Sequence, residues 1–164
     1  MTTFRDRPRI GVLGPNQCSP EEAQLGFEVG AELARRGAVL LCGGLGGMME
    51  AAARGAKAEN GLTIGMLPGD SDQDANEYID LPLPTGLGAM RNFLLVRTCH
   101  AVIAVHGAYG TLSEIAAALR LKVRVVGLHS WSVVRDGQLD PGILVAHTAK
   151  EAVDLAIGGN SDGP

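Results

Sequence analysis

Aromatic residues are scarce in this chain: Phe, Tyr and Trp together make up 4% of its 164 residues. Proteins that hold single-stranded nucleic acid lean on aromatic side chains for base stacking, so little here suggests that class. Basic runs are lacking too. Lys and Arg are spread along the chain and the formal net charge is −4, which argues against an extended phosphate-backbone surface. No nucleic-acid partner is expected, although a small anion needs only a few local donors. No apolar run approaches the roughly 20 residues of a membrane span, and the opening MTTFRDRPR has no apolar core of a signal peptide. The expectation is a cytoplasmic protein with no membrane partner. The cysteines, Cys18, Cys42 and Cys99, are odd in number and form no CxxC, so free thiols in a reducing compartment are expected. His100, His106, His129 and His147 show no i,i+4 pair and no CxxC companion, and Asp70–Asp74 lacks the glycine and distal glutamate of a calcium loop. No metal site is expected.

Short β-branched or Leu-rich runs alternate instead with amphipathic segments, the pattern of repeated βα units. Strands are expected at Arg9–Gly14, Ala38–Cys42, Leu62–Leu67, Ile79–Leu83, Ala101–His106, Val123–Leu128 and Ile143–Val145. Helices are expected at Pro20–Arg36, Met48–Glu59, Gly88–Thr98, from Gly107 to Leu121, and Thr148–Ile157, with an irregular region around Trp131. The fold class is α/β: a Rossmann-like open parallel sheet of six or seven strands with helices on both faces. It forms a single domain, residues 1–157, followed by a disordered tail, 158–164. Ligands of such sheets bind outside the carboxyl ends of the strands.

Two glycine-rich turns fall on that edge. Gly43-Gly44-Leu45-Gly46-Gly47 runs from a strand into a helix beginning at Met48. Glycines permit positive φ and close approach of backbone N–H groups, and a helix N-terminus favours an anion. A tight turn that binds nothing is the plainer alternative. The run lacks the third glycine of G-x-G-x-x-G, and G-K-[ST] is missing from the chain, so NAD and ATP hydrolysis are poor candidates. The second turn, His106-Gly107-Ala108-Tyr109-Gly110-Thr111, offers further N–H and hydroxyl donors. Gly14 and Asn16, after the first strand, are counted with the ligand-binding residues. Glu114 has two readings, a chemical role or the last member of a capping box Thr111-Leu112-Ser113-Glu114. Arg91, with Asn92 beside it, sits in the first turn of a helix, the end that disfavours cations. A ligand phosphate or carboxylate explains that placement, as does plain surface exposure.

These motifs, in this order over about residues 9–157, resemble the LOG-like superfamily, whose members often carry a lysine-decarboxylase label and include cytokinin-activating phosphoribohydrolases, molybdenum-cofactor carriers and, more distantly, DNA-processing protein A. Gly107, Tyr109, Gly110, Thr111, Leu112 and Glu114 match its P-G-G-x-G-T-x-x-E pattern; His106 replaces the proline and Ala108 a glycine. Arg91 matches the arginine of an R-K pair in which Asn92 replaces lysine. The segments TGLGAMRN and TIGMLPG are more similar to the molybdenum-cofactor carriers.

The resemblance implies binding of a phosphorylated nucleotide-like ligand such as AMP. A phosphoribohydrolase activity would use Arg91 and Glu114 as catalytic residues, and Gly14, Asn16, Gly43, Gly44, Gly46, Gly47, Met48, Asn92, Gly107, Ala108, Tyr109, Gly110 and Thr111 as ligand contacts. A non-catalytic carrier or sensor of a phosphorylated heterocycle, with molybdenum cofactor the leading example, is the alternative. Neither reading requires a cofactor. Lysine decarboxylation would need a Schiff-base lysine at the site, and Lys57, Lys122 and Lys150 are all placed away from it. A homodimer, or a higher homo-oligomer, with the Arg91 helix near the interface is implied as well.

Overall fold

The computed structural model describes residues 3–158; the expected disordered tail lies, from residue 159 on, outside them. The main strands are β1 (Arg9–Leu13), β2 (Val39–Cys42), β3 (Leu62–Leu67), β4 (Leu81–Pro84), β5 (Ala101–Val105) and β6 (Arg124–Leu128). Two short strands, β7 (Val134–Arg135) and β8 (Gln138–Leu139), precede β9 (Ile143–Ala146). The helices are α1 (Pro20–Arg35), α2 (Met48–Ala58), α3 (Arg91–Thr98), α4 (Tyr109–Arg120) and α5 (Ala149–Ile157). Seven strands form one sheet in the order β4-β3-β2-β1-β5-β6-β9, and every neighbouring pair is parallel. The expected Rossmann-like α/β architecture is the one observed.

Strand side chains alternate between two cores. Ile10, Val12, Leu40, Ile103 and Val105 pack under α1, α2 and α5. Leu13, Leu41, Val102 and Ala104 pack under α3 and α4, which contribute Leu95, Val96, Ile115 and Ala118. A strand covered on both faces has no polar side to present, so β2 and β5 read as unbroken apolar runs. Ser19 caps α1: its Oγ accepts the Glu22 N–H at 3.2 Å, and the Glu22 carboxylate accepts the Ser19 N–H at 2.9 Å. Helices α1 and α2 touch backbone to backbone. A Cβ on Gly30 would overlap the Ala52 carbonyl, and one on Gly55 would overlap that of Phe27.

Strand order positions the site. From β1 the chain builds outward through β2, β3 and β4, then returns to the other side of β1 with β5. Neighbours β1 and β5 therefore send their following helices, α1 and α4, to opposite faces. A crevice opens between them at the carboxyl edge, as at other topological switch points.

Three local departures have physical causes. Strand β4 begins at Leu81 rather than Ile79, because Ile79 packs onto the core and the Asp80 carboxylate accepts from Lys57 Nζ and the Thr63 N–H. Residues Gly88–Met90 form a single 3-10 turn, so the helix proper starts at Arg91. Beyond Trp131 the chain makes a hairpin, β7–β8, where irregular structure was expected. Its turn residues Asp136 and Gly137 both have positive φ, 51° and 74°, the geometry for which Asp-Gly is favoured.

The α1–α2 contact makes a signed prediction. Gly→Ala in an open helix stabilises by about 1 kcal/mol. Gly30→Ala is expected instead to destabilise by about 1–3 kcal/mol through overpacking, read as a lower urea midpoint at unchanged slope.

Candidate functional site

At the carboxyl edge of β1, β2 and β5 lies a cavity of about 310 Å³, at the lower end of the size range of small-molecule sites. The turn after β1 supplies Gly14 and Asn16, and the turn after β2 supplies Gly43 and Leu45. The start of α3 contributes Arg91 and Asn92, and α4 with its entry residue contributes Ala108, Gly110, Thr111 and Glu114. Nine residues singled out in the sequence are thus brought together. Leu45, Met49, Pro68 and Leu95 also line it, and nothing in the sequence separates these apolar side chains from ordinary core.

Gly44, Gly46, Gly47, Met48, Gly107 and Tyr109 stand off the cavity wall. Met48 departs most from the expectation of ligand contact. Its side chain is fully buried beneath Gly14 and Gly26, and its N–H donates to the Pro15 carbonyl at 3.0 Å. Gly47, at φ 62°, lies against the backbone of Asn16, where a Cβ would collide. The N-terminus of α2 is therefore packed against the β1 turn rather than opened to the cavity. Gly44, at φ 78°, is tied to the acidic loop, its carbonyl accepting the Asn76 N–H at 2.9 Å. Gly46 would hold a Cβ in ordinary contact with Glu50 and the Asn16 carbonyl, and Gly107, at φ 105°, leaves room for the Thr111 side chain. Gly43 makes room for Arg91, since a Cβ there would lie 2.7 Å from its Nη2.

The donors that face the cavity come from α4. Its first residue is Tyr109, its N-cap Ala108 offers no side-chain cap, and Leu112 is the first residue to bond back, to the Ala108 carbonyl at 3.0 Å. The N–H groups of Tyr109, Gly110 and Thr111 precede that bond and have no acceptor among the described residues, so the partial positive charge of the helix end is left open. This start also removes the capping-box reading of Thr111 and Glu114. Thr111 is the third residue of the helix, not its cap, and Glu114 lies beyond the first turn.

Arg91 is the first residue of α3 and only 8% exposed. Neither its side chain nor that of Glu114 makes a hydrogen bond or an ion pair within 4 Å among the described residues, and Arg91 Nε and Asn92 Oδ1 are buried with no partner. Leaving a buried polar atom unpaired costs about 1–3 kcal/mol, more for a charged group. Burial pushes the Glu114 carboxyl up to about 7, partly offset by the Arg91 charge. Burial likewise lowers the Arg91 pKa, against the opposing pull of Glu114 and Cys42.

His106 turns away from the cavity. At φ 51° it stacks on His129 with centroids 5.6 Å apart, and its Nδ1 lies 3.6 Å from Glu22 Oε1. Among the described residues no group of three or more His, Cys, Asp or Glu is placed to hold a metal ion, and no helix is long and apolar enough to cross a membrane.

Fold and cavity together define a Rossmann-like α/β protein whose carboxyl-edge cavity is lined, among the described residues, by one cationic side chain, Arg91. The chain belongs to the SLOG cluster4 family, whose model matches residues 7–153. A protein of Archaeoglobus fulgidus is 40% identical over 149 residues, 91% of this chain and 94% of that one. Among solved structures, the molybdenum cofactor binding protein of the phototrophic bacterium Rippkaea orientalis superposes with a TM-score of 0.81 at 33% identity, covering 91% of this chain and 94% of its own. The molybdenum cofactor carrier protein of Chlamydomonas reinhardtii matches with a TM-score of 0.81 at 29% identity, covering 95% and 99%. DNA processing protein A of Helicobacter pylori, a single-stranded DNA binder at 17% identity and a TM-score of 0.68 over 92% of this chain and 80% of its own, shares the fold alone.

The raised Glu114 pKa sets the sign of a pH effect. Between the ordinary carboxylate value of 4.5 and about 7 the folded chain binds more protons than the unfolded chain, so stability falls as pH rises through that window. Glu114→Gln is expected to abolish this component and to stabilise the chain at pH 8 by on the order of 2 kcal/mol. Melting of both proteins at pH 5 and pH 8 measures it.

Proposed function

We propose that this protein binds and carries a phosphorylated heterocycle of the molybdenum-cofactor type in a reducing compartment such as the cytoplasm. The observation that carries the reading is the unpartnered, buried Arg91 in a cavity that also receives the uncapped end of α4. A phosphate placed there gains a guanidinium and backbone N–H donors together, the combination that charge-assisted anion recognition uses. Support comes from the Rippkaea and Chlamydomonas structures, whose proteins are molybdenum cofactor binders and which match nearly the whole chain. Free Cys18, Cys42 and Cys99 suit a reducing surrounding.

A second reading, N-glycosidic cleavage of a nucleoside 5′-monophosphate such as AMP, is favoured by one observation. Glu114 lies on the same cavity as Arg91, with a carboxyl pKa near neutrality. Such a group can exchange a proton with an attacking water and offset charge in an oxocarbenium-like state. A carrier asks less of the site, needing only affinity.

Mass spectrometry of the small molecules released on denaturing freshly purified protein separates the two. A pterin phosphate is the expected result, AMP would transfer the assignment to the second reading, and phosphate-free ligands would sink both.

We further propose a homo-oligomer, at least a dimer, built on the face that begins α3. Leu87, Met90, Phe93 and Leu94 are all exposed there, Met90 at 75%, an apolar cluster of the kind that marks interfaces. Light scattering is expected to read at least twice the 17.0 kDa chain mass, and Met90→Glu to return it to that of one chain.

A further inference from the structure

One aromatic pair stands beside the cavity, next to its lining residue Ala108, without a packing reason for its exposure. Tyr109 is 79% exposed although it opens a helix in a well-covered fold. The residues on either side of it, Ala108 and Gly110, both line the cavity, so Tyr109 stands beside the cavity, just outside its wall. The ring is held rather than loose. Trp131 lies against it with centroids 5.7 Å apart and planes inclined by 31°. The indole N–H of Trp131 donates to the Ala108 carbonyl at 3.1 Å, which fixes the tryptophan to the same turn that carries the tyrosine. The other side of Trp131 packs onto the core under α3 and α4. Trp131 is thus anchored at one end and presents Tyr109 at the other, and the remaining face of the tyrosine ring is open to solvent.

We propose that Tyr109, backed by Trp131, is the stacking face for the heterocycle of the bound ligand, with Trp131 a positioning residue. The inference rests on the reading that the cavity takes a phosphorylated heterocycle, and it names which residues meet the ring. An exposed aromatic face next to a cation and free N–H groups divides the ligand in two. Arg91 and the start of α4 take the charged group, and Tyr109 takes the flat one. Aromatic rings prefer offset stacking on one another, and ring-on-base stacking needs no hydrogen bonds to the ring edge. The class of ligand is therefore a planar bicyclic heterocycle, pterin or purine in shape, joined to a phosphate.

Trp131 is the only tryptophan in the chain, so its fluorescence reports on this corner alone. The probes are a 6-substituted pterin bearing a phosphate and inorganic phosphate, titrated by calorimetry and by tryptophan emission against the full chain and against Tyr109→Ala and Tyr109→Phe. The expected result is that the pterin phosphate quenches Trp131 while phosphate alone binds without quenching. Tyr109→Ala should weaken the pterin phosphate by roughly 5- to 150-fold, the loss of one stacked ring. Its affinity for inorganic phosphate should be unchanged, and Tyr109→Phe should restore the wild-type value. Equal affinity of wild type and Tyr109→Ala for the pterin phosphate overturns the stacking face and leaves the cavity reading intact. A wild-type chain that takes phosphate but not the pterin phosphate overturns the stacking face and the pterin-carrier reading together and leaves a plain anion site. A wild-type chain that binds neither probe overturns both.

Discussion

A parallel sheet must be covered on both faces, and the chain meets that requirement by reversing direction at β1. Strands β2, β3 and β4 extend one way and β5, β6 and β9 the other, so α1 and α4 leave neighbouring strands for opposite faces and cannot close over the gap between them. Every feature of the candidate site follows from that gap. The turns after β1, β2 and β5 border it, the first residues of α3 and α4 look into it, and the apolar side chains of Leu45, Met49 and Leu95 form its lower wall. Close packing elsewhere keeps the gap where it is. Helices α1 and α2 meet through Gly30 and Gly55 with no room for a methyl group, and this leaves the turn before α2 pinned against the turn after β1.

Within the gap the electrostatics are unbalanced. One guanidinium, one carboxylate and the open end of a helix share a small space without pairing to each other by hydrogen bond. Arg91 and Glu114 lose hydration and gain only a long-range attraction, which is why the carboxyl is pushed towards neutrality and the guanidinium pKa is lowered. A fold selected for stability alone would have joined the two in a bidentate bridge or replaced them by apolar groups. Persisting unpaired, the Arg91 guanidinium keeps its hydrogen-bonding capacity free inside the cavity.

Much of this was legible in the residues. The apolar runs of β1, β2, β3, β5 and β6 and the Ser19 cap announce a doubly covered parallel sheet, because burial on both faces leaves no alternation to blur the signal. The same sheet rule places the turns at Gly43 and Gly107 on one edge before any coordinate is known. The Asp136-Gly137 turn was also present in the sequence, but a two-residue pair of strands is too short for its side-chain pattern to stand out. The placement of Met48 was not legible. A methionine entering a helix after four glycines looks the same whether its amide meets a ligand or, as here, the Pro15 carbonyl.

The distinction is one of range. Strand identity, helix starts such as Ser19, and glycines at Gly44, Gly47 and Gly107 are set by local backbone and burial preferences, which the amino-acid order carries within a few residues. Whether Thr111 caps a helix or lies inside it depended on where α4 begins, and Arg91 became a buried, unpartnered cation only once Gly43 was brought against it from across the sheet. The tilted ring contact of Tyr109 with Trp131 likewise joins residues from the ends of different strands. Those outcomes depend on distances between segments far apart in the chain, and only closure of the fold determines them.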